Sequence, residues 1–424
     1  MVPFVFIVAY VVLVLVRPQE YPQWAQAGIP MLPIALVTAL LAWLPSRHKH
    51  FDEPQYPLLA LFVLVTSVSV ALNGWVGGAV EQFNVFAPTF VAFVLLANTS
   101  LTRKRVVFVL GVFTVCAVLL AVHGIKQSAT GLGWTGMPLV DDGRIQYIGI
   151  FSDPNDLGML FVMCMPMALY LGSRGGLMGL RRVVWTVCAG LLLYGVYLTN
   201  SRGALLALVA MSGAYIWQRR GPTTALVLGA VCLTLLKLLP SRLDQLDVQE
   251  RSASGRVSAW YEGMQMFIAH PVMGVGTDRF TEYNELTAHN SLILVLAENG
   301  LIGFFLWFAF MGYCFWMMLR ILRHEPDLAD DDDVIEWQRD RAIAMTLLVS
   351  LVGFSATAFF LSRSYVMLPY LLSALIVAHF TGVRERFPDV GPFRLGQDLI
   401  HWVILAGAAV VGFYVMLKLL LAMS

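Results

Sequence analysis

Apolar runs recur along the whole chain, and their length leaves few folds open. They fall at about 3–16, 30–45, 57–72, 85–98, 106–123, 155–172, 183–199, 203–217, 222–239, 289–317, 342–361, 364–380 and 400–421. Runs of roughly 15–20 residues suit a helix that crosses the hydrocarbon of a bilayer. There a spanning backbone must satisfy its own hydrogen bonds, which leaves helices or closed barrels, and these runs lack the alternation of barrel strands. A chain that is 58% hydrophobic and 13% charged has too little polar surface to cover such runs in water. The expected fold is an all-α polytopic membrane protein with about 12–13 transmembrane helices. Its segments are helices in 1–123, a loop at 124–154, helices in 155–239, a long loop at 240–288 and helices in 289–424.

Cys116, Cys164, Cys188, Cys232 and Cys314 all lie in apolar runs and read as packing residues, not as a disulfide framework or a thiolate metal site. The N-terminus lacks a basic region and a small-residue cleavage site, so it reads as the first span. If that end is cytoplasmic, the inner loops carry 17 Lys and Arg against nine in the outer loops, in accord with the positive-inside rule. Both long loops are then external. Arg202 and Arg363 stand out, because each sits in an outer connection of a few residues, where an arginine must snorkel or pair with an anion. Asp330–Asp333 reads as a solvated acidic linker. The spans offer few ionisable groups besides Glu298, His123, Lys237 and Lys418, which argues against an ion-coupled pump. His48 and His50 read as inner-loop residues.

The loop 240–288 has internal order. Ser252 or Ser254 can cap a helix that Pro271 ends, with Arg256 in its first turn. Val257, Trp260, Tyr261, Met264, Phe267 and Ile268 recur at helical spacing. An amphipathic helix of this kind would lie at the outer interface with its tryptophan at headgroup depth. Gly274 and Gly276 then allow close backbone approach, and a Gly-x-Gly alone is weak support for phosphate binding.

His289 follows, where the loop enters the next apolar run. With a helix start near Thr287, it would sit in the first turn, where free N–H groups disfavour the imidazolium. A neutral imidazole there can accept a proton near neutral pH. A lone histidine is otherwise a structural residue. Ser291 diverges from it on a helix, and Glu298 lies more than two turns deeper. Arg202 and Arg256 together can clamp a dianion through their planar forks. Asp153 or Asn155 can cap the helix opening at Pro154, and Asp153 with Asp156 offers the weaker alternative of a divalent-metal site.

These residues follow one another in a recognisable order. Phe151-x-Asp-Pro-Asn155 and Gly158 come first, then Ser201-Arg202-Gly203, Gly255-Arg256 with Trp260, and Pro271-x-x-Gly-x-Gly276. His289-Asn290-Ser291, Glu298, Gly300 and Gly303 complete the series. The series resembles the bacterial O-antigen ligase and polymerase superfamily over roughly residues 145–310. The resemblance implies a membrane glycosyltransferase with a GT-C-like helical fold in the bacterial inner membrane, its active site on the periplasmic face. Such enzymes move a glycan from undecaprenyl pyrophosphate to an acceptor, which in the ligases is the lipid A–core oligosaccharide. The resemblance further implies that His289 is the base and that Arg202 and Arg256 bind the pyrophosphate. Asn155, Asp153, Arg279 and Arg363 are secondary candidates. No cofactor, no metal and no nucleic acid partner are expected. The alternatives are an O-antigen polymerase, a protein O-oligosaccharyltransferase and a non-catalytic transporter of lipid-linked glycans.

Overall fold

The structure is a computed structural model that describes the chain apart from residues 48, 141–142, 175–178, 239–245, 327–329 and 424, and apart from the side chains at 233, 235–238, 246–254 and 423. His48, Arg242 and the side chains of Lys237, Ser252 and Ser254 therefore lie outside the described residues. The described residues form sixteen α-helices: α1 Val2–Val16, α2 Pro22–Ala25, α3 Met31–Trp43, α4 Gln55–Leu72, α5 Val76–Thr99, α6 Arg103–Thr130, α7 Pro154–Ser173, α8 Leu180–Thr199, α9 Arg202–Arg220, α10 Pro222–Leu238, α11 Leu246–Ala269, α12 Phe280–Tyr283, α13 Ser291–Arg323, α14 Asp331–Ala358, α15 Met367–Arg386 and α16 Leu395–Met423. Among the described residues, nine helices are long and apolar enough to cross a membrane. Val2–Val16, Met31–Trp43 and Pro222–Cys232 are apolar but shorter. The chain is an all-α polytopic membrane protein.

Every apolar run has become a helix, but several ends differ from the sequence reading. The run at 85–98 is the second half of α5, and α6 continues seven residues past His123 to Thr130. The acidic stretch is no linker: Asp330 caps α14, its side chain accepting from the Asp333 amide, and Asp331–Asp333 occupy the first turn. Carboxylates are favoured there by the helix dipole. The helix in the long loop starts at Leu246, so Ser252, Ser254 and Arg256 lie inside it. Its apolar face packs on α13 and α16, and Trp260 is buried edge-on against Phe359 at 5.6 Å. Trp260 is thus a packing residue, not a headgroup anchor. Ile268, expected on that face, is exposed.

Helices α7 and α15 form the centre, with 89% of each apolar window buried, and α13 and α14 follow at 72% and 67%. Helix α16, at 11%, stands at the edge. At the end opposite the long loop, fully buried Asp340 of α14 takes Arg103 Nε and Nη2 at 2.9 and 2.8 Å and Arg386 Nη2 at 3.0 Å. His379, another buried ionisable group in a span, bonds the Asp340 carbonyl at 3.0 Å. These contacts lock α6, α14 and α15 together where the core would otherwise hold an isolated charge.

Candidate active site

The site gathers at the ends of α7, α9 and α14 that meet the long loop, beneath α11 and beside the start of α13. Helix α13 begins at Ser291, later than the sequence suggested, with Asn290 as N-cap accepting from the amides of Leu292 (2.9 Å) and Ile293 (3.1 Å). His289 therefore lies just outside the helix. Its φ of 45° places it in the left-handed region, an uncommon conformation for a residue with a side chain. Its ring makes no hydrogen bond among the described residues.

Burial is the main cause holding the His289 pKa below the ordinary imidazole value; Arg256 adds to the lowering, Asp153 opposes it, and Arg363 lowers it further. The direction is the one expected from a helix terminus, but the leading cause is different. The neutral imidazole is favoured because the ring is partly desolvated among cations.

Arg202 is the first residue of α9, set there by a two-residue turn. Asn200, in the left-handed conformation, ends α8, and Ser201 caps α9 by accepting from the Ala204 amide. Arg256 projects from α11 with its guanidinium 6.0 Å from the centre of the Phe360 ring. It lines a shallow cleft with Asn155, Ser201, Gly203 and Leu361. Burial, and then the neighbouring charge of Arg202, hold the Arg256 pKa below its usual value, with Asp153 opposing them. Among the described residues neither arginine has an ion-pair partner. Arg256, partly desolvated in this cleft and repelled by the exposed Arg202 beside it, forms a site that an anion would stabilise.

Asp153 caps α7 by accepting from the Asn155 amide at 2.8 Å and side-chain amide at 2.9 Å. Asn155 in turn accepts from Arg144 Nη2 at 3.0 Å, and Arg144 Nε donates to the Thr199 carbonyl at 2.9 Å. Arg144, not singled out in the sequence, thereby ties the start of α7 to the end of α8. Arg363 is consumed by Asp156, Nε to Oδ1 at 2.5 Å and Nη2 to Oδ2 at 2.6 Å. Burial lowers its pKa, but the Asp156 carboxylate more than offsets this and the balance is upward. Asp156, with both oxygens so engaged, has little left to offer a cation. Arg279 stands apart from the cluster, held by Glu282 at 2.6 Å and by the Asn73 carbonyl at 3.1 Å.

The glycine-rich segment after α11 serves backbone pairing. Helix α13 breaks at Gly300 (φ 59°, ψ −160°). The freed carbonyls of Ala297 and Glu298 accept from the Val275 and Gly276 amides at 3.0 Å each. The amides of Leu301 and Ile302 donate to the carbonyls of Pro271 (2.8 Å) and Val272 (3.4 Å). A Cβ on Gly274 would lie 2.3 Å from the Glu298 carbonyl carbon, and one on Gly300 would lie 2.4 Å from that of Val272. Glu298 closes the joint by accepting from the Phe280 amide at 3.1 Å. This clamp fixes α11, which carries Arg256, against α13, whose entrance carries His289.

The comparisons with known proteins fall on this site. Residues 187–308, which include Arg202, Arg256 and His289, match the family model described as O-antigen ligase. Residues 1–175, which include Asp153 and Asn155, match a family of unknown function, and Arg363 lies beyond both. No curated protein matches the chain. Over residues 187–308 the chain is therefore similar to the O-antigen ligase family.

Proposed function

We propose that the protein is an O-antigen ligase that transfers a glycan from undecaprenyl pyrophosphate to the lipid A–core oligosaccharide on the periplasmic face of the bacterial inner membrane. The observation that carries this reading is the place of Arg256, which lines a cleft with Asn155 and Ser201, lies close enough to His289 to act on its charge and is itself acted on by Arg202. As the bond from the sugar C1 to the pyrophosphate oxygen breaks, negative charge grows on the leaving group. Fixed guanidinium groups in a partly dry site stabilise that charge more than they stabilise the ground state. His289 takes the proton of the acceptor hydroxyl as its oxygen attacks C1, an effect of typically ~10²–10⁴ in rate. Attack opposite the leaving group inverts the anomeric configuration, and product NMR showing retention would contradict it. Arg363 and Asp156 position the site without touching substrate.

The acceptor is tested by the lipopolysaccharide gel pattern of a strain lacking the gene. Free core with accumulated lipid-linked polymer fits a ligase. Core bearing a single repeat indicates a polymerase.

A further inference from the structure

Helices α7, α9 and α14 meet the cationic cleft at one end and enclose a groove of about 520 Å³ toward the other. Its walls are largely apolar, with Met211, Ile216 and Met345 among them. Space is left there because Ser212 and Ala342 are small and because Pro166 interrupts the hydrogen-bond ladder of α7. The groove opens sideways toward lipid, where Leu169 is 55% and Tyr215 44% exposed.

The helices close between groove and cleft. Gly158 packs on α9 so closely that an added Cβ would lie 3.0 Å from Ala204 Cβ, and one on Gly353 would lie 3.0 Å from Val162 Cγ1. Arg219 lines the groove from the last turn of α9, whose first residue is Arg202. The helical rise over that length separates them by about 25 Å. A molecule in the groove is therefore a different ligand from any held by Arg202 and Arg256.

The polar groups at the groove are short of partners. The Arg219 guanidinium lies 5.7 Å from the centre of the Tyr215 ring, and that of Arg174, just past the end of α7, lies 5.7 Å from the Tyr170 ring. Among the described residues neither arginine has an ion-pair partner, and no carboxylate lines the groove. Tyr170 is 7% exposed, and its hydroxyl has no hydrogen-bond partner among the described residues, although buried hydroxyls are normally paired. Snorkelling explains an arginine at a helix end, but not an orphaned donor buried beside it.

We infer that the groove binds an anionic glycerophospholipid of the phosphatidylglycerol class. One acyl chain lies between α7, α9 and α14, the phosphate lies between Arg174 and Arg219, and the Tyr170 hydroxyl donates to a phosphate or ester oxygen. A hydrocarbon chain joined through a few atoms to a phosphate matches apolar walls with guanidinium groups at the mouth. A headgroup ammonium would find no carboxylate there. The bound lipid ties together three helices whose other ends meet the cleft at Asn155, Gly203 and Thr357.

The test uses the full-length protein, delipidated in detergent and returned to phosphatidylcholine nanodiscs with a trace of phosphatidylglycerol carrying a diazirine midway along one acyl chain. Irradiation should label peptides within 166–173, 211–219 and 342–349 above those of other lipid-facing helices. Ser212→Trp, which fills the groove, should abolish that excess. Unlabelled phosphatidylglycerol should compete well, phosphatidylethanolamine poorly and inorganic phosphate not at all. Arg174→Gln and Arg219→Gln should each lower the labelling about fivefold, on the scale of one basic residue at an anionic headgroup. Tyr170→Phe removes an orphaned hydroxyl, so the delipidated protein should keep its Tm while the rise in Tm produced by phosphatidylglycerol shrinks. Even labelling of all lipid-facing helices, equal competition by phosphatidylethanolamine, displacement by inorganic phosphate, or displacement by undecaprenyl phosphate in preference to phosphatidylglycerol would overturn the inference. The unmodified chain reports label position and competition, so these results stand even if a variant misfolds.

Discussion

Arg363 holds both carboxylate oxygens of Asp156 across 207 residues of sequence, while its backbone amide donates to Ser291 Oγ at 2.9 Å. Ser291 also donates to the Leu361 carbonyl at 2.6 Å. The pair thus joins the start of α7, the turn after α14 and the first turn of α13. The Asp156 side chain is 3% exposed, and removing one member of such a pair strands the other. Asp156→Ala should cost about 3–5 kcal/mol of stability, read as a lowered Tm in detergent. Replacing both members with apolar residues should recover most of that loss without restoring full transfer.

The acid limb of the pH profile reports on His289. Its pKa lies below the ordinary 6.5 because of burial, with Arg256 adding to the shift. Transfer should therefore persist below that pH and fall only as the depressed pKa is crossed, since the base acts in its neutral form. Asp153 pulls the pKa the other way. Asp153→Asn keeps a capping side chain on α7 and should move the limb to still lower pH. A limb that rises or stays fixed contradicts the assigned electrostatics.

Lysine should not replace either arginine. A point charge lacks the planar fork that engages two phosphate oxygens, and it is more strongly hydrated. Arg202→Lys and Arg256→Lys should each weaken donor binding by about 1–3 kcal/mol, on the scale of one charged hydrogen bond. Titration with a pyrophosphate-linked donor measures it, and full rescue by lysine would contradict a bidentate clamp.

The joint between the Pro271 segment and α13 should tolerate no side chain. Gly300→Ala combines a positive φ with a backbone collision, strain of at least 1–3 kcal/mol, as a rough scale for a disfavoured backbone conformation. The expected outcome is loss of folded protein on size-exclusion chromatography. Gly213→Ala, in a helix where an added Cβ meets nothing within 4 Å, should express normally.

The membrane helices were legible because hydropathy is a local property, and every apolar run became a helix. Their ends were less so. Asn290 and Asp330 move the starts of α13 and α14 by capping, a choice between neighbouring polar residues that hydropathy does not rank. Arg202 and His289 could be nominated from sequence, since a charge in a short connection and a histidine at a helix entrance each violate a physical expectation; Arg256, in the long loop, violates none and entered only as the partner of Arg202 in a clamp. The left-handed turn at His289 could not, because it depends on Asn290 taking the cap. The pairing of Arg363 with Asp156 was equally hidden, being long-range. Gly274, Gly276 and Gly300 were visible as glycines, but their purpose needs both halves of the clamp together.

The central claim is that His289 performs a chemical step on a donor held by the arginines. It is tested most directly by single-turnover transfer with His289→Ala, measured beside equilibrium donor binding. The account predicts transfer reduced by ~10²–10⁴ with donor affinity nearly unchanged. Transfer at the unmodified rate, or transfer lost in proportion to donor binding, would contradict it.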